Sequence, residues 1–471
     1  MAELTGAAAG KPAPAAVAAE PEDAKGTPGR GWTLFAASLG FAMVQLDVSV
    51  VNVAIKPIGA EFGGGVSALQ WVVSAYTLAF AALILTAGAL GDRVGAKRVF
   101  NAGFVVFMVA SAACGLAPSL GVLIAARVVQ GIGAAVLVPS SLSLLHHTFP
   151  DPGERTRAVG LWAAGASSAL ASGPLVGGLL IAAFGWRSIF FITVPIGLAG
   201  IALATRWAVE TPRSRERGVD LPGQLAAVVA LTALAAAMIE GGERGFADPA
   251  VLGGFALAAA GGAVFVALEA ARADPMLPLR LFRSPTFSAA SVIGLLVNVV
   301  FYGLIFVFSL FFQDGLHYSA LQTGLAFAPV MAALTTANLV ARRIAAAIGG
   351  RGVIAIGALL MTVGSGALLG IDTGTPYAAL FIQLAVVGFG LGLVVPAMTS
   401  ALLGSVDRSW SGVASGSLNT ARQAGSVIGV ALFGSLIAGD GRLVSGLHLT
   451  LAVCVVLAAA AAALTAALAK Q

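Results

Sequence analysis

Fourteen separate stretches of this chain are each apolar over about 20 residues, the length that a helix needs to cross a bilayer. In approximate bounds they are residues 32–55, 67–90, 98–117, 120–149, 158–184, 187–208, 221–239, 249–270, 287–312, 321–348, 353–371, 376–403, 412–438 and 447–468. Because lipid offers no hydrogen-bond partner to the backbone, each stretch is expected to be a helix. The sequence therefore predicts an all-α integral membrane protein with 14 transmembrane helices.

Composition excludes several other classes of protein. Of the 471 residues, 58% are hydrophobic and 10% are charged, whereas a soluble domain carries about 25% charged residues. A soluble enzyme, a secreted disulfide scaffold and a disordered protein are therefore excluded. The net charge of +5 does not indicate nucleic-acid binding, and Cys114 and Cys454 lie in apolar stretches as small hydrophobic residues rather than in a disulfide or a metal site.

The basic residues predict the orientation of the spans. With the N-terminus in the cytoplasm, 20 of the 26 Lys and Arg residues fall on the cytoplasmic side and four on the outer side. The remaining two, Arg127 and Arg422, lie within spans. This asymmetry is typical of the positive-inside rule. It predicts a multi-pass protein of a bacterial plasma membrane with both termini in the cytoplasm.

Charged stretches divide the chain into segments. Residues 1–31 are rich in Ala and Pro and lack an apolar core, which predicts a disordered cytoplasmic tail. Two basic inner stretches then separate an N-terminal six-helix bundle (32–208), an inserted pair of helices 7 and 8 with their flanking loops (209–286), and a C-terminal six-helix bundle (287–471). Repeated six-helix halves are the ground plan of many secondary transporters, whose binding site lies between the halves.

Four motifs resemble those of a known family. They are LDVSVVNVA at 46–54 in the first span, the loop 88–98 after the second span, RVVQGIG at 127–133 in the fourth span, and Gly165 with GPLVGG at 173–178 in the fifth span. The chain resembles the fourteen-helix drug:proton antiporters of the major facilitator superfamily over its whole length after the tail. The resemblance implies a fold of two six-helix bundles with an inserted helix pair. It also implies that the fifth-span motif is associated with export and that the first and fourth spans line a central cavity.

Three positions depart from the family pattern. Ser49 stands where Thr is common, Lys56 precedes Pro57 at the end of the first span, and the second-half counterpart of the loop motif lacks its acid. None of them alters Asp47. We expect the second-half loop to hold its neighbours less tightly than the first.

Asp47 is the acid that lies well inside a span, and such an intramembrane acid indicates a functional site. It lies about 12 Å below the outer boundary, and Arg127 enters the fourth span to a depth of about 11 Å, at a rise of 1.5 Å per residue. The two charges are thus at nearly one level, where they can pair directly or through a water molecule. We expect them to couple proton uptake and release to transport. A purely structural hydrogen bond of Asp47 is the alternative.

Other polar residues are candidates for the substrate cavity, although each one alone is also compatible with helix packing. They are Gln45, Asn52, Gln130, Asn298, Asn338, Gln383, Asn419, Arg422 and Gln423. An apolar cavity around one acid favours lipophilic cations or neutral compounds as substrates.

Two groups of residues are expected to act in gating and helix packing. The first is Gly165, Gly173, Pro174, Gly177 and Gly178 in the fifth span, where the proline bends the helix and the glycines allow close approach. The second is the turn of Gly88, Gly91, Asp92, Arg93, Gly95, Lys97 and Arg98, a latch expected in the inward-closed state. A packing motif and a solvated turn are the respective alternatives.

The sequence predicts a secondary efflux transporter that exchanges protons for a lipophilic or amphipathic organic compound by alternating access. The protein is not expected to be an enzyme or to bind a cofactor, a metal or nucleic acid. We expect the proton gradient to supply its energy and the protein to act as a monomer in the lipid bilayer. Two alternatives stay open. One is proton-coupled uptake of a metabolite by the same fold, and the other is a non-transporting membrane sensor, for which Asp47 and Arg127 would be dispensable.

Overall fold

The computed structural model describes residues 29–213, 220–272, 275–407, 410–439 and 441–468, and across these ranges it contains helices and no strand. The predicted tail lies outside the described residues except for its last three. Those three contradict the prediction of disorder, because α1 already begins at Arg30. The guanidinium of Arg30 donates to the carbonyl of Thr148 at 3.0 Å and pairs with Glu154 at 3.2 Å.

We number the membrane-spanning helices α1 to α14 in chain order. Their bounds are α1 Arg30–Phe62, α2 Val66–Val94, α3 Ala96–Gly115, α4 Leu120–Thr148, α5 Pro152–Phe184, α6 Ser188–Trp207, α7 Leu221–Arg244, α8 Pro249–Ala271, α9 Pro285–Gly315, α10 320–348, α11 350–367, α12 Tyr377–Gly404, α13 Ser411–Ile437 and α14 Leu443–Leu468.

Residues 320–367 are helical apart from a turn at Phe327 and a kink at Gly349, and they contain two spans. By length and composition the described residues hold 13 helices able to cross a membrane, and this stretch of 48 residues is one of them. At 1.5 Å per residue it would measure about 72 Å, more than twice the roughly 30 Å of a hydrocarbon core. Gly349 breaks it with φ 77° and ψ 158°, a conformation favoured by glycine. The described part of the chain therefore makes the fourteen predicted crossings.

Caps and prolines fix where several helices begin. Asp151, Asp248 and Ser284 each accept a hydrogen bond from a backbone amide of the first helical turn, and a proline follows each of them. Proline suits this position because it lacks the N–H that would have no partner there. Gly95, with φ 108°, makes the tight turn between α2 and α3.

The six helices before the inserted pair and the six after it repeat one packing pattern. In the first set α1 packs on α5, and α4 packs on both α2 and α3. In the second set α9 packs on α13, and α12 packs on the α10–α11 stretch. The two sets meet through α2 with α13, α5 with α10 and α1 with α9.

The inserted helices α7 and α8 pack on each other, and α7 also packs on α2 and α13. The side chain of Gln224 on α7 hydrogen-bonds the hydroxyl of Thr86 and the carbonyl of Ala82 on α2. A Cβ at Gly242 on α7 would lie 2.7 Å from the Cα of Ser435 on α13. The inserted pair therefore contacts both sets of helices along the line where they meet.

A cavity of about 1610 Å³ lies between the two sets and opens at one end of the molecule. This end carries the connections α2–α3, α4–α5, α6–α7, α8–α9, α10–α11 and α12–α13. We call it the basic end, because these connections hold most of the basic residues. Its mouth is lined by Asp92, His146, Asp220 and Arg342, whereas Gln45 and Arg422 lie deeper. At the opposite end, which we call the far end, helix-to-helix contacts close the cavity.

Candidate functional site

A buried ion pair joins α1 and α4 inside the first set of helices. Arg127 Nη1 donates to Asp47 Oδ2 at 2.5 Å, and the exposed fractions of the two side chains are 1% and 0%. The predicted common level of the two charges is therefore confirmed as direct contact. Arg127 and Gln130 share one face of α4, since they are three residues apart.

Further hydrogen bonds complete the shell of this pair. Gln130 Nε2 donates to Asp47 Oδ1 at 2.8 Å, so both carboxylate oxygens have a partner. Arg127 also donates from Nη1 to Gln130 Oε1 at 2.7 Å and from Nε to the carbonyl of Val72 at 3.0 Å. Ser111 on α3 accepts from Gln130 at 3.1 Å. A buried charge pair needs such additional hydrogen bonds, because they offset the hydration that both charges have lost.

Close packing of α4 brings the guanidinium onto an aromatic ring. Arg127 Cζ lies 4.3 Å from the centre of the Tyr76 ring, a cation–π geometry. A Cβ at Gly131 would collide with the carbonyl of Tyr76, and one at Gly133 would lie 2.8 Å from the amide of Phe107. Small residues at these two positions therefore set the approach of α4 to α2 and α3.

The ion pair does not line the cavity. The resemblance implied that α1 and α4 line it, and both do so elsewhere along their length, α1 through Phe41 and Gln45 and α4 through Val138 and Leu142. Asp47 follows Gln45 by two residues, which turns it by about 200° around the helix. It therefore faces the interior of its own helix set. The expectation of an apolar cavity around this acid is wrong in the present conformation.

The structure divides the other cavity candidates. Gln45, Asn298, Asn338, Asn419 and Arg422 line the cavity, whereas Asn52, Gln130, Gln383 and Gln423 do not. Gln130 is held by Asp47, and Asn52 is buried in the far-end closure. There the carbonyl of Asn52 accepts a hydrogen bond from the hydroxyl of Ser309 on α9 at 2.5 Å.

The glycine motif of α5 lies against α1 at the far end. A Cβ at Gly173 would collide with the side chain of Ser49, and a Cβ at Gly177 would lie 2.6 Å from Val50 Cγ2. Gly165, nearer the basic end, leaves ordinary contact distance to α1. Substitution of Gly173 or Gly177 would therefore force the two helices apart.

The same motif also contacts α10 of the other helix set. A Cβ at Gly178 would lie 2.8 Å from the carbonyl oxygen of Ala320, and a Cβ at Gly324 would collide with the carbonyl of Pro174. Pro174 lies inside α5 and is buried. Both the glycines and the proline are thus part of the contact that closes the far end.

Some residues of the α2–α3 turn lie at the cavity mouth and others lie on the protein surface. Gly88 and Asp92 line the cavity near its mouth. Gly91 is buried, and a Cβ there would lie 3.5 Å from Ser140 Oγ. Arg93 is exposed. Because the cavity is open at this end, the predicted latching of the turn in the inward-closed state stays a prediction.

An acid after α6 holds the α3 side of this turn. Glu210 accepts from the backbone amide of Lys97 at 2.9 Å and pairs with Arg98 at 3.6 Å. A Cβ at Gly95 would lie 2.5 Å from Glu210 Oε1, so glycine is needed there. The hydroxyl of Thr211 accepts from the amide of Ala96 at 2.8 Å. Sequence reasoning missed Glu210, whose only signal was that it is an acid within the basic stretch after α6.

Two further far-end contacts were also missed. Lys56 on α1 pairs with Asp314 on α9 at 2.9 Å. Gln70 Nε2 on α2 donates to the carbonyls of Val430 and Ala431 on α13, both at 2.8 Å. Lys56 had a signal in the sequence, because it departs from the family pattern, whereas Gln70 had none.

No group of three or more His, Cys, Asp or Glu side chains among the described residues is arranged to hold a metal ion. Cys114 and Cys454 are both free and buried. The groups described above offer the chemistry of the buried Asp47–Arg127 pair and of a partly polar cavity.

Comparison with known proteins gives consistent matches. A family-level sequence model described as the Major Facilitator Superfamily matches residues 37–430. The chain is 39% identical over 404 residues to a methylenomycin A resistance protein of Streptomyces coelicolor, covering 86% of this chain and 85% of the relative. It is 33% identical over 431 residues to a tetracenomycin C resistance and export protein of Streptomyces glaucescens, covering 90% and 79%.

A multidrug resistance protein, Stp, of Mycobacterium tuberculosis is 36% identical over 406 residues, with 86% of this chain and 75% of the relative covered. Among solved structures, a bacterial homologue of the human lysosomal transporter Spinster superposes with a TM-score of 0.65 at 18% identity, covering 93% of this chain and 97% of that one. The human organic anion transporter MFSD10 gives the same TM-score at 15% identity, covering 93% and 100%. At these identities the structures support the fold alone.

Proposed function

The chain belongs to the Major Facilitator Superfamily, and we propose that it exports an amphipathic organic compound in exchange for protons by alternating access. Three relatives that match most of the chain are named for resistance to antibiotics or for drug resistance and export, which supports efflux. The proton gradient is the energy source, without a bound cofactor, and the working unit is a monomer in a bacterial plasma membrane.

The basic end is cytoplasmic under this proposal. Its connections carry most of the basic residues, in accordance with the positive-inside rule. The cavity of about 1610 Å³ then opens inward, with the far end closed toward the outside. An inward-open cavity is the state in which an exporter receives its substrate from the cytoplasm.

The observation that carries the proton coupling is the Asp47–Arg127 pair, fully buried at mid-membrane depth. Protonation of Asp47 removes its negative charge and with it the Coulomb attraction to Arg127. The ion pair therefore stabilises one state of α1 when Asp47 is ionised and loses that effect when it is protonated. Asp47 has no exposed surface here, so it exchanges its proton in another conformation of the cycle.

Helix α1 connects this pair to the far-end closure. Within nine residues after Asp47, α1 presents Ser49 and Val50 to the glycines of α5, and Lys56 to Asp314 of α9. A rise of 1.5 Å per residue makes this segment about 14 Å long. A displacement of α1 on protonation would therefore act directly on the contacts that close the far end.

The energy available is adequate for export. One proton that moves inward down 100 mV supplies about 2.3 kcal/mol. That energy sustains a substrate gradient of several tens-fold, because about 1.4 kcal/mol corresponds to a factor of ten.

The test is efflux from cells that express the chain, with methylenomycin A, tetracenomycin C and ethidium as trial compounds. We expect accumulation of at least one compound to fall on expression and to recover when a protonophore collapses the gradient. Asp47→Asn is expected to abolish efflux, whereas Glu61→Gln, an exposed acid on the same helix, serves as the matched control.

Three results would contradict the proposal. Efflux that persists without a proton gradient would exclude proton coupling. Accumulation that rises on expression would indicate uptake rather than export. Efflux that is unaffected by Asp47→Asn would remove Asp47 from the coupling.

A further inference from the structure

Arg422 is a cation inside the cavity wall at mid-membrane depth. It lies 11 residues after the first residue of α13, Ser411, or about 17 Å along the helix. It lines the cavity, and neither a hydrogen bond nor an ion pair joins it to another described residue. Its Nε is buried without a partner. An intramembrane arginine without a counter-charge is costly, which indicates a functional role.

The surroundings of Arg422 leave room for its side chain but supply no acid. At Gly294 on α9, a Cβ would lie 3.4 Å from Arg422 Cγ, so the glycine makes space for the arginine stem. Asn298, Tyr302 and Asn419 line the same cavity as uncharged neighbours from α9 and α13. The side-chain amide nitrogens of Asn298 and Asn419 each donate a hydrogen bond to a backbone carbonyl of their own helix.

The acids that line the cavity lie at its mouth. Asp92 is at the end of α2, Asp220 precedes α7, and Glu269 is in the last turn of α8. Asp220 is also paired with Arg272 at 2.9 Å. In the present conformation, the described cavity wall therefore presents one formal charge at mid-membrane depth, and that charge is positive.

Arg127 is the other arginine inside a span, and its surroundings differ from those of Arg422. Both arginines lie in the middle of a span, but Arg127 has a carboxylate, an amide and a backbone carbonyl as partners. The protein thus supplies a counter-ion for one intramembrane arginine and not for the other. Of the two, the one without a counter-ion faces the space in which a substrate binds.

The rest of the lining suits an anion with an apolar body. Four more arginines, which lie toward the mouth, line the cavity: Arg272, Arg280, Arg283 and Arg342. With the three acids Asp92, Asp220 and Glu269, and with Arg272 paired to Asp220, the charged lining still carries an excess of positive charge, which raises the local concentration of anions. On the wall formed by the first helix set, Phe41 and Trp162 stack with ring centres 4.3 Å apart and offer an apolar surface.

We propose that Arg422 binds an anionic group of the exported compound, so that the substrates are amphipathic organic acids carrying a carboxylate or a sulfonate. This inference rests on the proposed function in that it takes the cavity as the transport site. The planar guanidinium binds such groups through two parallel hydrogen bonds. The expectation of cationic or neutral substrates placed Asp47 in the cavity, and the cavity holds Arg422 instead.

The test measures binding to the purified protein in detergent, without any gradient, for two probes with the same ring system. The probes are 1-naphthoate, an anion, and 1-naphthamide, its neutral analogue. A charged hydrogen-bonded contact corresponds to about tenfold or more in affinity. We therefore expect the protein to bind 1-naphthoate about tenfold more tightly than 1-naphthamide.

Variants assign that preference to Arg422. Arg422→Gln is expected to remove the preference and Arg422→Lys to keep part of it. The exposed Arg343→Gln, which lies outside the cavity lining, is expected to change nothing. Asn419→Asp keeps the arginine and places a carboxylate three residues before it on the same helix face, so it is expected to lower affinity for 1-naphthoate alone.

Equal or tighter binding of 1-naphthamide by the unaltered protein, or an unchanged preference in both Arg422→Gln and Asn419→Asp, would overturn the inference. Proton-dependent efflux together with such a result would leave the proposed function intact. Conversely, an Arg422-dependent preference for the anion without proton-dependent efflux would refute the coupling and support the anion site.

Discussion

Asp47 was the site residue most readily predicted from the sequence, because a lone acid inside an apolar span has few structural uses. Depth along the helix followed from the rise per residue, and so did its common level with Arg127. The side of α1 on which Asp47 lies could not be predicted. A span that is apolar on all sides has no hydrophobic face to orient it. Gln45 and Asp47 could therefore not be assigned to different faces of α1 from the sequence. In the structure Gln45 lines the cavity, whereas Asp47 is buried between α1, α3 and α4.

Removal of one member of the buried pair is expected to destabilise the protein strongly. Arg127→Gln leaves the Asp47 carboxylate buried without its cation, and breaking such a pair costs about 3–5 kcal/mol. We expect a marked fall in melting temperature in detergent for this variant. The double variant Asp47→Asn with Arg127→Gln removes both charges and is expected to regain much of the loss.

The control for this cycle is Arg244→Gln, which breaks the exposed pair with Glu240 on α7 and is expected to change melting little. If Arg127→Gln melted like the unaltered protein, the pair would have no stabilising role. If the double variant melted at a lower temperature than both single variants, an unpaired buried charge would not be the cause of the destabilisation.

Helices α1 and α5 pack closely because Gly173 and Gly177 of α5 leave room for Ser49 and Val50 of α1. The spacing of the motif in α5 predicted close approach, and the contacts of Gly173 and Gly177 with α1 bear this out. The partner across the helix sets, α10, was not predictable, because nothing in a single span specifies which distant helix it meets. The length of α1 was also underestimated. Its helix continues through Pro57 to Phe62, beyond the apolar stretch.

Enlargement of these glycines is expected to hold the far end open. A Cβ at Gly173 would collide with Ser49, so Gly173→Ala and Gly177→Val should shift the population toward a state with α1 and α5 apart. Spin labels at Thr373, in the connection of α11 to α12, and at Gly121, at the far end of α4 where a Cβ meets nothing within 4 Å, report this opening as a longer inter-label distance. Export is expected to fall in parallel, because the transport cycle needs the closed state.

Gly262→Ala is the matched substitution, since a Cβ there meets nothing within 4 Å. It should leave both the inter-label distance and the export rate unchanged. Inter-label distances that are the same in all three variants would mean that the glycines of α5 do not control far-end closure.

As a whole the molecule is open at its basic end and closed at its far end, with the inserted pair packed along the junction of the two helix sets. The number of spans, their order and the repeat were all accessible from hydropathy and charge. The open end and the position of α7 against α2 and α13 were not. They depend on contacts between segments distant in the chain, such as Gln224 with Thr86.

Cysteine labelling tests the orientation and the open end together. Cys114 and Cys454 are both buried, so they are expected to give little background. Ser167→Cys lines the cavity and should react faster with a membrane-impermeant maleimide in inside-out vesicles than in intact cells. Thr373→Cys, exposed in the connection of α11 to α12, should show the opposite pattern.

Reaction of Ser167→Cys at an equal or higher rate in intact cells would contradict a cavity that rests open to the cytoplasm. Reaction of Thr373→Cys only in inside-out vesicles would reverse the predicted orientation.

The most direct test of proton coupling through Asp47 is proton movement in proteoliposomes that contain a pH indicator. With a compound that the protein exports, the unaltered protein and Glu61→Gln are expected to move protons in the direction opposite to the compound. Asp47→Asn should show no compound-dependent proton movement at comparable reconstitution. Proton movement at the unaltered rate in Asp47→Asn would contradict the assignment of the coupling proton to this carboxylate.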